Sequence, residues 1–279
     1  MSVPAQTRGV DDHPPHLEPS QLGTKEYWES FYENSLSHLS WKRRAGRKYG
    51  SRDGDENANG KDNEDGGEDE DDDDSDPGTS WFAEHNAPEK VLRFLTSESF
   101  PLAPCNTHNN GNENNNTQPQ PQPQPTILDL GTGNGSMLAL LRDEGGFTGG
   151  QMVWDVFDKR AVEELDWFPV ARGGFDIVLD KGTFDAISLS AEKIAVDRMC
   201  ERYPEIVRGL VRREGFLVVT SCNWTEEELI RWFTRREAGE NEGGDRLVVW
   251  DRVGYPKFRF GGQEGQGVCT VCFRRVSGS

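Results

Sequence analysis

From Thr126 to the C-terminus, short apolar runs alternate with stretches whose apolar positions recur every three or four residues. The runs are Thr126–Leu130, Met152–Val156, Phe175–Asp180, Phe216–Thr220, Leu247–Asp251 and Val268–Phe273, each of strand length. Between them, Ser136–Glu144 reads as a helix through Met137, Leu138, Leu140 and Leu141. Ala191–Val211 reads as a longer one through Val196, Met199, Tyr203, Ile206, Val207 and Leu210. Thr225, with Glu228 three residues on, forms a capping box that opens a helix through Leu229, Ile230, Trp232 and Phe233. Strand and helix in alternation predict an α/β fold, a doubly wound and mostly parallel sheet. Two helical stretches come earlier. Ser20–Leu39 carries Leu22, Tyr27, Trp28, Phe31, Tyr32, Leu36 and Leu39 at helical steps, and within Trp81–Phe100 the residues Val91, Leu92, Phe94 and Leu95 form an apolar side.

The segments between these stretches have little to bury. Residues 53–76 hold fourteen Asp and Glu against one Lys, most of the formal charge of −18 on this 279-residue chain. A like-charged run of that length repels itself and stays solvated. Residues 104–125 are an Asn tract followed by a Pro-Gln repeat, which favours an extended backbone without internal hydrogen bonds. Both read as disordered insertions into loops of one domain, because surface loops take added length at small entropic cost. The expected organisation is a disordered N-terminus (1–19), a helical segment (20–50), the acidic insertion (51–80), a second helical segment (81–103), the low-complexity insertion (104–125) and an α/β core (126–279).

Composition narrows the partners. A pI near 4.7 argues against nucleic acid, whose phosphates need clustered Lys and Arg. No apolar run approaches the roughly 20 residues that span a bilayer, so no membrane partner is expected. The N-terminus has neither the apolar core of a secretory signal nor the Arg-rich character of a transit peptide. Five scattered cysteines fit a reducing compartment, and a cytoplasmic location is the expectation. Cys269 and Cys272 make one CxxC without a second pair, inside an apolar strand, and are expected to be buried thiols rather than metal ligands. No feature sets the oligomeric state.

The strongest chemical signal is Asp129-Leu130-Gly131-Thr132-Gly133-Asn134-Gly135, between the first strand and its helix. Glycines there permit positive φ and bring a ligand against bare backbone, while the helix behind presents unpaired N–H groups. The spacing is G-x-G-x-G; a dinucleotide fingerprint would need a glycine at position 136, which is Ser. Two more segments follow strands at the same edge, where open α/β sheets bind ligands: Asp180-Lys181-Gly182-Thr183-Phe184-Asp185-Ala186-Ile187 and Ser221-Cys222-Asn223-Trp224-Thr225.

With Leu22-Gly23-Thr24-Lys25-Glu26-Tyr27-Trp28, Trp81-Phe82 and Tyr255-Pro256-Lys257-Phe258-Arg259-Phe260-Gly261-Gly262, these motifs resemble one family, the seven-β-strand protein-lysine methyltransferases acting on translation elongation factor one-alpha. The resemblance implies the S-adenosylmethionine-dependent methyltransferase fold, a metal-free cytosolic transferase, S-adenosylmethionine as cofactor and the elongation factor as protein substrate. It implies that Gly131, Thr132, Gly133 and Gly135 hold the cofactor's amino-acid portion and that Asp129 orders that loop or the cofactor's ammonium. Asp155 and Val156 would lie at the adenine, with Trp81 beside the cofactor. Asp180 would be the catalytic residue, accepting a hydrogen bond from the incoming amine; an equal alternative is a carboxylate that orders its own loop. Trp28, Tyr32, Trp81 and Phe82 would form an aromatic lid or plain core.

The resemblance has one gap. Between Glu144 and Met152 the family places a second strand and a second helix, and seven residues cannot hold them. The acidic residue that ends the second strand and holds the ribose then has no counterpart. The chain is therefore expected to be either a mis-spliced or mis-predicted version of an active enzyme, or a relative that has lost cofactor binding and serves as a binding module. In the chain as it stands Met152–Val156 must pair elsewhere or sit beside Thr126–Leu130 in the vacated slot, for which the helix Ser136–Glu144 suffices as a crossover.

Overall fold

A computed structural model describes residues 14–34, 82, 85–107, 124–153, 166–235, 244–260 and 263–277. The chain divides into two compact units, residues 25–80 and the remainder. In the smaller unit residues 25–34 are helical. Tyr27, Trp28, Phe31 and Tyr32 pack ring on ring along that helix, with centroids 5.1–6.2 Å apart.

The larger unit is built on a six-stranded sheet. Its strands are β1 (Ile127–Leu130), β2 (Gln151–Val153), β3 (Phe175–Lys181), β4 (Val211–Ser221), β5 (Arg246–Val253) and β6 (Cys269–Val276). They lie in the order β2-β1-β3-β4-β6-β5. The pairings β2/β1, β1/β3 and β3/β4 are parallel, and β6 runs antiparallel to both β4 and β5. Alternation along the strands separates two apolar faces. Leu128, Leu130, Val178, Leu217, Val219, Val271 and Phe273 point to one, packed with residues of α3 (Thr183–Ser188), α4 (Met199–Leu210) and α5 (Glu226–Thr234). Ile127, Ile177, Leu179, Phe216, Val218 and Cys272 point to the other, against α1 (Ala87–Leu95) and α2 (Ser136–Asp143). The sheet is thus doubly wound, with mixed strand directions.

The pairing expected beside Thr126–Leu130 forms over Met152 and Val153, while Trp154, Asp155 and Val156 lie outside the described residues. β2 pairs directly with β1, Leu128 opposite Gln151 and Leu130 opposite Val153, and α2 alone makes the crossover. The capping box forms as expected: the Thr225 hydroxyl accepts from the Glu228 N–H while the Glu228 carboxylate accepts from the Thr225 N–H.

Three readings need correction. The helix expected over Ala191–Val211 starts only at Met199, because Lys193–Ile194 and Asp197–Arg198 pair as a small antiparallel hairpin. Val196, counted into the helix's apolar side, sits in the hairpin turn at 82% exposure. The strand expected at Phe216–Thr220 begins at Val211, straight off α4, with an irregular register near its start and Glu214 at φ 64°. The ordered chain also runs past residue 103: Pro104–Thr107 is a helical turn, held by the Asn106 amide donating to the carbonyls of Glu98 and Phe100. Among the described residues no helix is long and apolar enough to cross a membrane, and no cluster of ligating side chains could hold a metal ion.

Candidate active site

The C-terminal ends of the parallel strands bring the sequence motifs to one edge. At the end of β1, Gly131, Gly133 and Gly135 all have positive φ (55°, 59° and 79°), so the chain turns back on itself and enters α2 within five residues. Gly131 is further fixed from outside, because a Cβ there would lie 2.2 Å from the Thr183 hydroxyl of the neighbouring loop. That hydroxyl donates to the Leu130 carbonyl at 2.7 Å, tying the β1 turn to the β3 turn.

Asp129 sits under this turn at 2% exposure and accepts from the Thr132 hydroxyl at 2.8 Å. Burial raises its pKa to about 6, held back by the Thr132 bond and the positive charge of Lys181. Residues 131–136 are half-exposed, whereas β1 behind them and Met137 and Leu138 beyond are buried. The result is a bare-backbone cradle over a buried carboxylate at a helix N-terminus. It suits a ligand with a charged amino-acid end.

Asp180, at the end of β3, is 1% exposed. Its carboxylate accepts from the N–H groups of Thr183 (2.9 Å) and Phe184 (3.2 Å) and from the Tyr203 hydroxyl of α4 (2.6 Å). Burial pushes its pKa to about 7 against those hydrogen bonds, and the nearby Asp185 adds to the rise. In this geometry the Asp180 carboxylate holds the turn into α3. Asp185 performs a parallel task one turn on. It accepts from the Ser221 hydroxyl and from the Cys222 N–H at 2.9 Å, clamping the loop after β3 to the loop after β4. Burial raises the Asp185 pKa, opposed by those bonds. The Trp224 indole in turn donates to the Ser188 hydroxyl at 3.2 Å.

The N-terminal motif reaches the same edge. The Ser20 N–H donates to the Leu189 carbonyl at 3.0 Å, and a Cβ on Gly23 would overlap the Leu189 and Ser190 backbone. Phe82, 1% exposed, lies against Gly182, whose absent Cβ leaves room for the ring. Tyr255 donates or accepts with Thr270 at 2.8 Å, and Phe82, Tyr255, Ala87 and Val268 form one small cluster.

No family model matches the chain. Curated relatives do, over nearly its whole length. It is 28% identical over 280 residues to the protein-lysine N-methyltransferase EFM4 of Saccharomyces cerevisiae, covering 92% of this chain and 96% of that one. Identity to EEF1A lysine methyltransferase 2 of Homo sapiens is also 28%, over 274 residues, 92% of this chain and 88% of the relative. With the protein of that name from Danio rerio it is 28% over 301 residues, 99% and 100% of the two chains. This chain is a relative of the EEF1A lysine methyltransferases. Its sheet is mixed and doubly wound, parallel from β2 through β1 and β3 to β4 and antiparallel at β6 and β5. The Danio rerio alignment is longer than the 279 residues of this chain, so that methyltransferase carries residues with no counterpart here. Among solved structures, the N-methyltransferase NodS from Bradyrhizobium japonicum aligns at a TM-score of 0.31 and 11% identity, over 54% of this chain and 78% of that one.

Of the site residues expected for such a methyltransferase, Asp129, Gly131, Thr132, Gly133, Gly135 and Asp180 come together at this edge. Trp81, Asp155 and Val156 lie outside the described residues. Trp28 and Tyr32 belong to the helix of the smaller unit. Sequence reading passed over Tyr203 and Lys181. Tyr203 was counted as core, and only its pairing with Asp180 across 23 residues reveals its role. Lys181 alternates onto the same sheet face as Asp129 and stands 5.4 Å over the Phe82 ring.

Proposed function

We propose that this chain is an S-adenosylmethionine-dependent protein-lysine N-methyltransferase whose substrate is translation elongation factor 1A, acting in the cytoplasm. The observation that carries the reading is the three-glycine turn over Asp129, in a chain related end to end to EEF1A lysine methyltransferases. The free thiols of all five cysteines suit the reducing cytoplasm.

The cofactor supplies a methyl group on a reactive sulfonium; the chain supplies position and electrostatics. Gly131, Thr132, Gly133 and Gly135 hold the cofactor's amino-acid end against bare backbone, and Asp129 gives its ammonium a buried partner. An ammonium placed there would bring the Asp129 pKa back down. The acceptor lysine must arrive deprotonated, its nitrogen about 3–3.5 Å from the methyl carbon. Asp180 acts as a positioning residue. It locks Thr183 and Phe184 at the mouth, so the loop that frames the incoming amine does not reorganise during transfer. By the family resemblance Trp81, outside the described residues, would lie beside the cofactor.

The filled slot bears on the ribose. Asp155 stands two residues beyond Val153, the last residue of β2, and 24 residues after Gly131. In βαβ nucleotide-binding units an acidic residue about 20 residues past the glycine loop, at the end of the strand next to β1, holds the ribose hydroxyls. By that sequence spacing Asp155, itself outside the described residues, is the candidate partner of the ribose in place of the adenine role.

Methyl transfer tests the reading. The purified chain, given tritiated S-adenosylmethionine and purified elongation factor 1A, should label one or a few lysines of the factor, and the Gly133→Val variant should not. Absence of label with the unmutated chain would remove the catalytic reading. A second reading, a binding module that engages the elongation factor without methylating it, is favoured by the single shortened crossover. It is distinguished by binding to the factor that persists without any cofactor binding.

A further inference from the structure

We propose that the hairpin Lys193–Arg198 is the docking element for the folded protein substrate, with Ile194 and Val196 as its apolar contact. The proposal rests on the methyltransferase reading above and names where the substrate's body, beyond its lysine, is gripped.

Four large apolar side chains stand out as exposed among the described residues, and two of them, Ile194 (37%) and Val196 (82%), share this six-residue hairpin. Lys193 pairs with Arg198 and Ile194 with Asp197, which leaves Ala195-Val196 as a two-residue turn. Ala195 has φ 57°, and Val196 is not among the residues with positive φ. A two-residue turn with positive φ only at its first position favours Gly there, and a β-branched residue is a poor choice beside it. Folding alone would select a Gly-Asn or Gly-Ser type of tip. This sequence instead accepts backbone strain and a solvated valine at the same point. Such a combination marks a surface shaped for contact rather than for stability.

The hairpin's base shows where that contact would be. The Arg198 guanidinium donates to the carbonyls of Leu17 (2.8 Å), Ser188 (2.9 Å) and Ser190 (2.8 Å). Ser188 ends α3 and bonds Trp224 of the loop after β4, while Leu189 receives the N-terminal segment at Ser20. The hairpin is therefore pinned to the same sheet edge as the glycine turn, Asp180 and Asp185. A folded protein offering its lysine at that edge meets the hairpin tip as a neighbouring contact. The flanking Glu192, Lys193, Asp197 and Arg198 balance in charge, so the tip selects an apolar patch beside the acceptor lysine rather than a charged one.

The double substitution Ala195→Gly with Val196→Asn tests this, because it suits the turn better and should fold at least as well. Affinities of the full chain and the variant for purified elongation factor 1A are measured by interferometry with saturating S-adenosylhomocysteine, alongside melting temperature, sedimentation and calorimetric affinity for S-adenosylhomocysteine. The expected result is a loss of at least about tenfold in affinity for the factor, with an unchanged or higher melting temperature and unchanged cofactor affinity. Equal affinity for the factor in both proteins overturns the hairpin's role and leaves the methyltransferase reading standing. A change in self-association instead identifies the tip as a contact between copies of this chain and also overturns it. Failure of the unmutated chain to bind the factor removes the named partner and the reading together.

Discussion

Asp180 and Asp129 are buried carboxylates whose pKa values are raised, to about 7 and about 6, by desolvation. In the unfolded chain each releases its proton near 3.8, so between pH 4 and pH 7 folding takes up protons. Stability contributed by these groups is therefore greatest at low pH and falls as pH rises through that window. The melting temperature of the chain should fall from pH 5 to pH 7.5, and Asp180→Asn should flatten that slope while lowering the methyl-transfer rate with little effect on cofactor affinity. A slope left intact by the substitution would mean that Asp180 is ionised throughout. At the glycine turn, Gly131→Ala places a methyl group against the Thr183 hydroxyl and forces φ 55° on a residue that resists it. It should lower stability by about 1–3 kcal/mol, read by denaturant melts, whereas Gly133→Val should abolish cofactor binding.

At the scale of elements, what was legible in the sequence is what is local. The strand, glycine turn and helix of Ile127–Asp143 and the capping box of α5 announce themselves within a dozen residues, and each forms as its residue types dictate. Replacing Thr225 by Ala should cost about 1 kcal/mol, seen as a melting temperature a few degrees lower. The hairpin at Lys193–Arg198 was illegible for the opposite reason. Its turn carries Ala-Val where turn chemistry would show Gly or Asn, and Val196 happens to continue the apolar period of α4. The contacts that assemble the site were also hidden. Nothing near Gly23 signals Leu189, nothing near Gly182 signals Phe82, and the Tyr203–Asp180 bond joins elements that the sequence separates. Motifs marked the candidate residues; their mutual geometry depended on the tertiary fold.

At the scale of the whole molecule, one helix suffices to carry the chain from β1 to its parallel neighbour β2. A parallel crossover needs only about 10–12 residues, and the stretch from Gly131 to Gly150 provides them, so β2 pairs directly with β1. Both sheet faces stay covered, by α1 and α2 on one side and α3, α4 and α5 on the other. The central claim is that this six-stranded sheet builds a cofactor site, for which Asp155 is proposed as the ribose partner. Calorimetric titration of the 279-residue chain with S-adenosylhomocysteine tests it most directly. The account predicts saturable one-to-one binding, abolished by Gly133→Val and weakened at least about tenfold by Asp155→Ala, the loss expected for a charge-assisted hydrogen-bond pair. No binding by the unmutated chain would contradict it and show that this sheet does not build a cofactor site.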